Sequence, residues 1–228
     1  MASHTTSDEV VRKYVEQMGE ELGTLFAELW GEVATLHVKW AQFVELFGTS
    51  PSRIEVLNEA APFFFRVLQD TLFEDTLLHI ARLTDPVKSA GKRNLTIRRL
   101  PGLMEDSSSR DEVEELVEGA VGAAAFCRDW RNRLLAHRDF DLIFDKHAKT
   151  LEVASRAQVK EALSHLATAL NGVEKCTNGS PTIFEGPVLG GADQLLYYLK
   201  IGIEAELERI GRMGAGEIRP EDLRTREI

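Results

Sequence analysis

The stretch from Ser109 to Phe140, SRDEVEELVEGAVGAAAFCRDWRNRLLAHRDF, constrains the fold more than any other part of the chain. It contains no proline and places Leu116, Ala120, Ala123, Cys127, Trp130, Leu134 and His137 at alternating steps of four and three residues. That spacing keeps one side of a helix apolar, so one long helix is predicted over about 110–138. Ser109 followed by Glu112 is the pattern of a capping box, and Asp111 complements the positive end of the helix. Ala123, Ala124 and Ala125 favour helix and allow a neighbour to approach closely. The apolar stripe ends at His137, while the adjacent stripe of Ala124, Arg128, Arg131, Leu135 and Arg138 carries three guanidinium groups. A buried seam that opens onto a cationic, titratable mouth is the first place to look for chemistry.

A helix of this kind needs others to cover it, and the rest of the chain reads that way. Helical periodicity runs from Asp8 to Phe47, with a bend expected at Trp30–Gly31. Gly48–Thr49–Ser50–Pro51 breaks it. A second helical region runs from Ser52 to Leu83, adjusted at Pro62 and stopped by Asp85–Pro86. Asn94 is placed to cap a short helix through Leu100. Leu151–Val153 reads as a short extended piece too isolated to make a sheet, Gln158–Cys176 is helical, and Asp193–Ile210 supplies a last helix. The expected fold is all-α, a bundle of about five to seven helices. It forms a single domain over 1–210, followed by a charged tail over 211–228.

The chain has 228 residues, 43% of them hydrophobic, enough to bury one sizeable core. Its formal net charge of −10 argues against general binding of polyanions, so any nucleic-acid contact must be local. Cys127 and Cys176 both fall in helical patterns and read as reduced thiols of a cytoplasmic protein. No leader and no membrane-spanning run is evident. No zinc-type spacing of cysteine and histidine occurs, so neither a metal nor a cofactor is expected.

Two polar features stand apart from the packing pattern. Asp75, His79 and Arg82 share one face of the second helical region. They read either as the polar wall of a pocket, orienting Arg131 or His137, or as an ion-paired helix surface. Residues 88–99, KSAGKRNLTIRR, hold Lys88, Lys92, Arg93, Arg98 and Arg99 with no acid among them. In an acidic chain this reads as a phosphate-contacting patch, although a solvated loop has the same composition.

Arg131–Asn132 followed by Leu134–Leu135–Ala136–His137 resembles the arginine–histidine signature of the HEPN superfamily. The strings FFFRVLQDTLFEDTLLHIARLTDP at 63–86, NLTIRRL at 94–100 and DWRNRLLAHRD at 129–139 are similar, in that order, to the branch of AbiU-type phage abortive-infection proteins. The resemblance covers roughly residues 40–175. It implies a HEPN-like helical bundle that pairs into a homodimer, with a metal-independent endoribonuclease site built from Arg131, Asn132 and His137. Histidine suits removal of the 2′-hydroxyl proton. A guanidinium suits a phosphate on which charge is building. RNA is the implied substrate, an antitoxin or regulatory protein the implied partner, and Arg128, Arg133, Arg138, Lys92 and Arg93 the implied substrate contacts.

On an ideal helix Arg131 and His137 lie about 120° apart at ~3.6 residues per turn. They can converge if the helix loosens near Leu135 or if the site forms between two subunits. Arg133 and His137, one turn apart, are the alternative pair. Some relatives carry a tyrosine two residues after the histidine, where a nucleotidyltransferase modifies it; here that position is Asp139. A non-catalytic module binding nucleotide, RNA or protein is the second reading.

Overall fold

The computed structural model describes residues 7–135, 151–177 and 179–223, and most of these are helical. The α-helices among them are α1 (Ser7–Met18), α2 (Glu20–Phe47), α3 (Pro51–Ala60), α4 (Pro62–Leu83), α5 (Ser107–Ala123), α6 (Ala125–Trp130), α7 (Arg156–Cys176) and α8 (Ala192–Gly214). Among the described residues a single antiparallel hairpin pairs β1 (Lys88–Ser89) with β2 (Lys92–Arg93). The fold is all-α. No helix among the described residues is long and apolar enough to cross a membrane.

Local chemistry explains most boundaries. Pro51 and Pro62 open α3 and α4, where a missing N–H costs nothing. The first long helical region is interrupted at Gly19, not at Trp30–Gly31. Gly19 adopts φ +81°, which glycine reaches without penalty. Gly23 then lies so close to the preceding turn that a Cβ there would stand 2.6 Å from Val15 Cα. A Cβ on Gly31 would meet nothing within 4 Å, and α2 continues straight through it.

The caps also differ from expectation. Asp106 starts α5 by accepting a hydrogen bond from the Ser109 N–H at 2.8 Å, which puts Ser109 inside the first turn. The capping box belongs instead to α7, where Ser155 and Gln158 bond reciprocally. Asn94 does not cap; its amide donates to the Pro86 carbonyl at 2.8 Å. Thr96 takes the capping role for the short 3-10 turn Ile97–Arg99. Residues 151–155 are irregular rather than extended into a strand.

The chain divides into two compact units. The first comprises Met1–Trp40 and Phe73–Gly186. Its core includes Phe26, Leu29, Val33 and Leu36 of α2, Leu77 and Ile80 of α4, Val113 and Val117 of α5, and Leu163, Leu166 and Leu170 of α7. Each such side chain contributes about 1.5–3 kcal/mol when removed from water. Helix α5 packs along α7, with Leu116 seated over Gly172. The buried seam of α5 and α6 is Val113, Val117, Ala120, Val121, Ala124 and Cys127; Leu116, Ala123, Trp130 and Leu134 are only half-buried. The buried face departs from the expected stripe already in α5, where Val113, Val117 and Val121 rather than Leu116 and Ala123 turn inward; α5 then ends at Ala124, whose ψ of 5° departs from helical geometry. A buried carboxylate fastens α1 in place: Glu174 accepts from the Tyr14 hydroxyl at 3.0 Å and from the Thr182 N–H at 3.2 Å. Cys127 and Cys176 are both free thiols.

The second unit comprises Ala41–Leu72 and Pro187–Ile228. Leu46, Leu57, Phe65, Ala192 and Leu196 form its small core. Arg53 links Glu45 to Asp193, and Gln42 accepts from the Ala192 N–H at the start of α8. Helix α8 runs to Gly214, past the expected end at Ile210. The chain then returns, and the buried Asp222 pairs with Arg212 at 3.0 Å while its carbonyl accepts from Arg209.

Candidate functional site: the arginine cluster at the end of α4

The last turn of α4 exposes main-chain carbonyls and the negative end of the helix dipole, which cations stabilise. Three arginines from later in the chain meet there. Arg98 Nε donates to the Thr84 carbonyl at 3.0 Å. Arg128 donates to Thr84 Oγ1 at 3.1 Å and to the Val121 carbonyl at 2.7 Å. Arg131 Nη1 pairs with Asp85 Oδ1 at 2.5 Å, both side chains being about four-fifths buried. Thr96 Oγ1 lies 2.9 Å from the Leu83 carbonyl and 2.7 Å from that of Asp85, donating its single proton to one of them. Burial, reinforced by the nearby Arg98, pulls the Arg128 pKa below its ordinary value.

Arg131 and Asn132 sit at the start of a π-helical turn, Arg131–Leu135. Such turns recur at functional sites. The wider winding changes angular positions, so the ideal-helix separation of about 120° does not carry over to this segment. Arg131 Nε donates to Asn132 Oδ1 at 3.0 Å, so carboxylate and amide together orient the guanidinium plane. Arg133 lies 3.5 Å from Asp129, and Asp129 in turn accepts from the Glu152 N–H at 2.9 Å. Trp130 donates to the Glu152 carbonyl at 2.7 Å and meets Phe73 edge-on. His137, Arg138 and Asp139 lie outside the described residues.

The α4 face resolves into a polar ladder with α2. Asp75 pairs with Lys39 at 2.6 Å, Lys39 Nζ is 3.5 Å from His79 Nδ1, His79 Nε2 is 2.7 Å from Glu32, and Glu32 is 3.2 Å from Arg82. None of the three residues contacts Arg131 directly. Of the three, Arg82 lines a pocket of about 330 Å³ together with Glu32, Leu83, Asp85, Asn94 and Leu95, and Asp85 is the residue that holds Arg131.

The basic stretch separates into two populations. Lys88, Lys92 and Arg93 are exposed on the hairpin, which turns through Ala90 and Gly91, both at positive φ. Arg98 and Arg99 instead face the protein, Arg98 toward Thr84 and Glu118, Arg99 toward Glu21. Sequence reasoning missed Asp85, reading it as a helix stop, and missed Glu32 entirely. An acid directly before Pro86, at the end of a string already singled out, was the available signal for Asp85. Glu32 had none, because only the packing of α2 on α4 brings it to this place.

Of the expected apolar stripe, Ala120 and Cys127 have no exposed surface, while Ala123 and Trp130 are half-buried. A family model described as AbiU2, of the HEPN group, matches residues 19–187. No curated protein and no solved structure matches the chain. The matched range extends beyond the expected 40–175 at both ends, takes in α2 to α7 with the arginine cluster, and stops before α8.

Proposed function

The chain belongs to the HEPN family described as AbiU2, and on that premise we propose that it is a metal-independent endoribonuclease of a toxin or phage-defence system. The observation that carries this reading is the orientation of Arg131. Its guanidinium is held at one edge by Asp85 and at another by Asn132, leaving its remaining N–H groups to meet a phosphate. His137, six residues on, takes the 2′-hydroxyl proton; the alkoxide attacks the adjacent phosphorus and the 5′-oxygen leaves as a hydroxyl, taking a proton from the imidazolium so formed, to give a 2′,3′-cyclic phosphate. Arg131 stabilises the charge that builds on the phosphate oxygens, and Asn132 keeps the guanidinium in place. Such chemistry is complete with a base and a cation.

In this reading a homodimer brings the two His137 side chains to one cleft, RNA approaches over Lys88, Lys92 and Arg93, and an antitoxin or regulatory protein restrains the activity. The dimer rests on the family, since the α5–α6 seam is already buried within one chain. One observation favours the second reading, a non-catalytic binding module: Arg98 and Arg128 are committed to protein acceptors and Arg131 is paired with Asp85.

The deciding experiment incubates purified protein with total RNA in chelator, beside Arg131→Ala and His137→Ala. Cleavage by the parent with cyclic phosphate ends, abolished in each variant with helical content unchanged, supports the nuclease. Strict dependence on added Mg²⁺ or Mn²⁺ overturns the mechanism, and RNA binding without cleavage selects the binding module.

A further inference from the structure

The pocket beside Asp85 has a chemistry of its own. Glu32 is its acceptor, a carboxylate whose Oε2 lies 2.7 Å from His79 Nε2 and 3.2 Å from Arg82 Nη2. Both neighbours stand at Oε2, so Oε1 keeps its acceptor capacity in a residue that lines the pocket. Arg82 is its donor; about two-thirds of that side chain is exposed, so most of its N–H groups are open. Leu83 and Leu95 supply apolar surface, and Asp85 joins the pocket to Arg131.

The carboxylate has a buried neighbour. His79 is 3% exposed, and Lys39, itself fixed by Asp75, stands against its Nδ1. With an ammonium donating to Nδ1, a neutral imidazole carries its proton on Nε2, toward Glu32. The ladder Asp75–Lys39–His79 thus stands behind a carboxylate at the pocket wall, with His79 Nε2 2.7 Å from it. A surface ion pair needs no such buried support.

Among the four RNA bases, guanine alone offers two adjacent donors on its Watson–Crick edge, N1–H and N2–H, beside the O6 acceptor. A carboxylate takes the two donors, and a guanidinium next to it meets O6. Adenine and cytosine would turn a ring-nitrogen lone pair toward the carboxylate. Uracil offers one donor flanked by two carbonyls. We infer that the pocket lined by Glu32, Arg82, Asp85 and Leu95 is a guanine subsite, which selects where the RNA chain lies relative to Arg131. This inference rests on the reading of Arg131 as the phosphate-binding group.

The test uses uncleavable 2′-O-methyl hexanucleotides, one all-uridine and others with a single G, A or C, measured by calorimetry against the full chain. In parallel, the 3′ ends of cleaved total RNA are sequenced. The G-containing oligonucleotide should bind about tenfold tighter than the others, within the discrimination given by one bidentate base contact. Glu32→Gln and Arg82→Ala should each lose most of that preference; the exposed Arg82 makes its substitution safe for folding, which circular dichroism checks. Equal affinity for all four oligonucleotides overturns the subsite, whatever the cleavage result. So does a G preference that survives both substitutions. A G preference in binding without any cleavage upholds the subsite and removes the nuclease instead.

Discussion

Replacing Gly23 and Gly31 by alanine, one at a time, should move stability in opposite directions. Both glycines lie inside α2, where alanine is favoured over glycine by about 1 kcal/mol through propensity alone. At Gly31 that gain is unopposed, because an added Cβ meets nothing within 4 Å. At Gly23 the same Cβ would stand 2.6 Å from Val15 Cα and from the Tyr14 carbonyl carbon. These are main-chain atoms and cannot rotate aside. Overpacking of this kind costs about 1–3 kcal/mol. Taking about 2 for the clash less about 1 for propensity, Gly23→Ala should destabilise by about 1 kcal/mol. Gly31→Ala should stabilise by about 0.5–1 kcal/mol. With an m value of about 2 kcal/mol/M, the urea midpoints should move by roughly 0.5 M, down for the first and up for the second. Circular dichroism at 222 nm follows both. If both midpoints rise together, α1 does not fold back closely on α2 at Gly23, and the account of the Gly19 bend is wrong.

Charge reversal at Lys92 and Arg93, both exposed on the hairpin, should weaken RNA binding and flatten its salt dependence by about 1.4 in log–log slope, about 0.7 for each lost contact to a single strand; equal slopes in a salt titration would mean that RNA enters elsewhere. His37, stacked on Phe184, and His79 are both held below the ordinary histidine pKa, chiefly by burial. The unfolded chain therefore takes up protons first as pH falls through about 6.5, so this share of stability is full at pH 7.5 and declines toward the lower folded pKa values. Urea midpoints at pH 7.5 and 5.5 should differ less in His37→Gln than in the parent, and an unchanged difference would show that burial of this imidazole does not drive the loss. Leu166→Ala, at a fully buried position, should cost about 2–5 kcal/mol, with the m value unchanged in the same urea titration.

Helix content, the breaks at Pro51, Pro62 and Pro86 and the family were legible in the chain itself, because they depend on properties of neighbouring residues. Proline removes a donor wherever it stands, periodicity places apolar residues on a face without reference to the rest of the fold, and the strings around Arg131 are linear. The bend at Gly19 was not legible. Gly19, Gly23 and Gly31 look alike in sequence, and only the return of the chain shows which of them meets a backbone. The seam of α5 was misphased for a related reason: faces through Leu116 and Ala123 and through Val113, Val117 and Val121 are both apolar in the sequence, and only packing on α7 decides which is buried. At the site, the arginines were visible, but their acceptors were not. Asp85 lies 46 residues before Arg131, and Glu32 lies 47 before His79. Charge pairing over such separations depends on which helix faces which, and that is decided by burial of Leu29, Leu36, Leu77 and Ile80, none of which carries a charge.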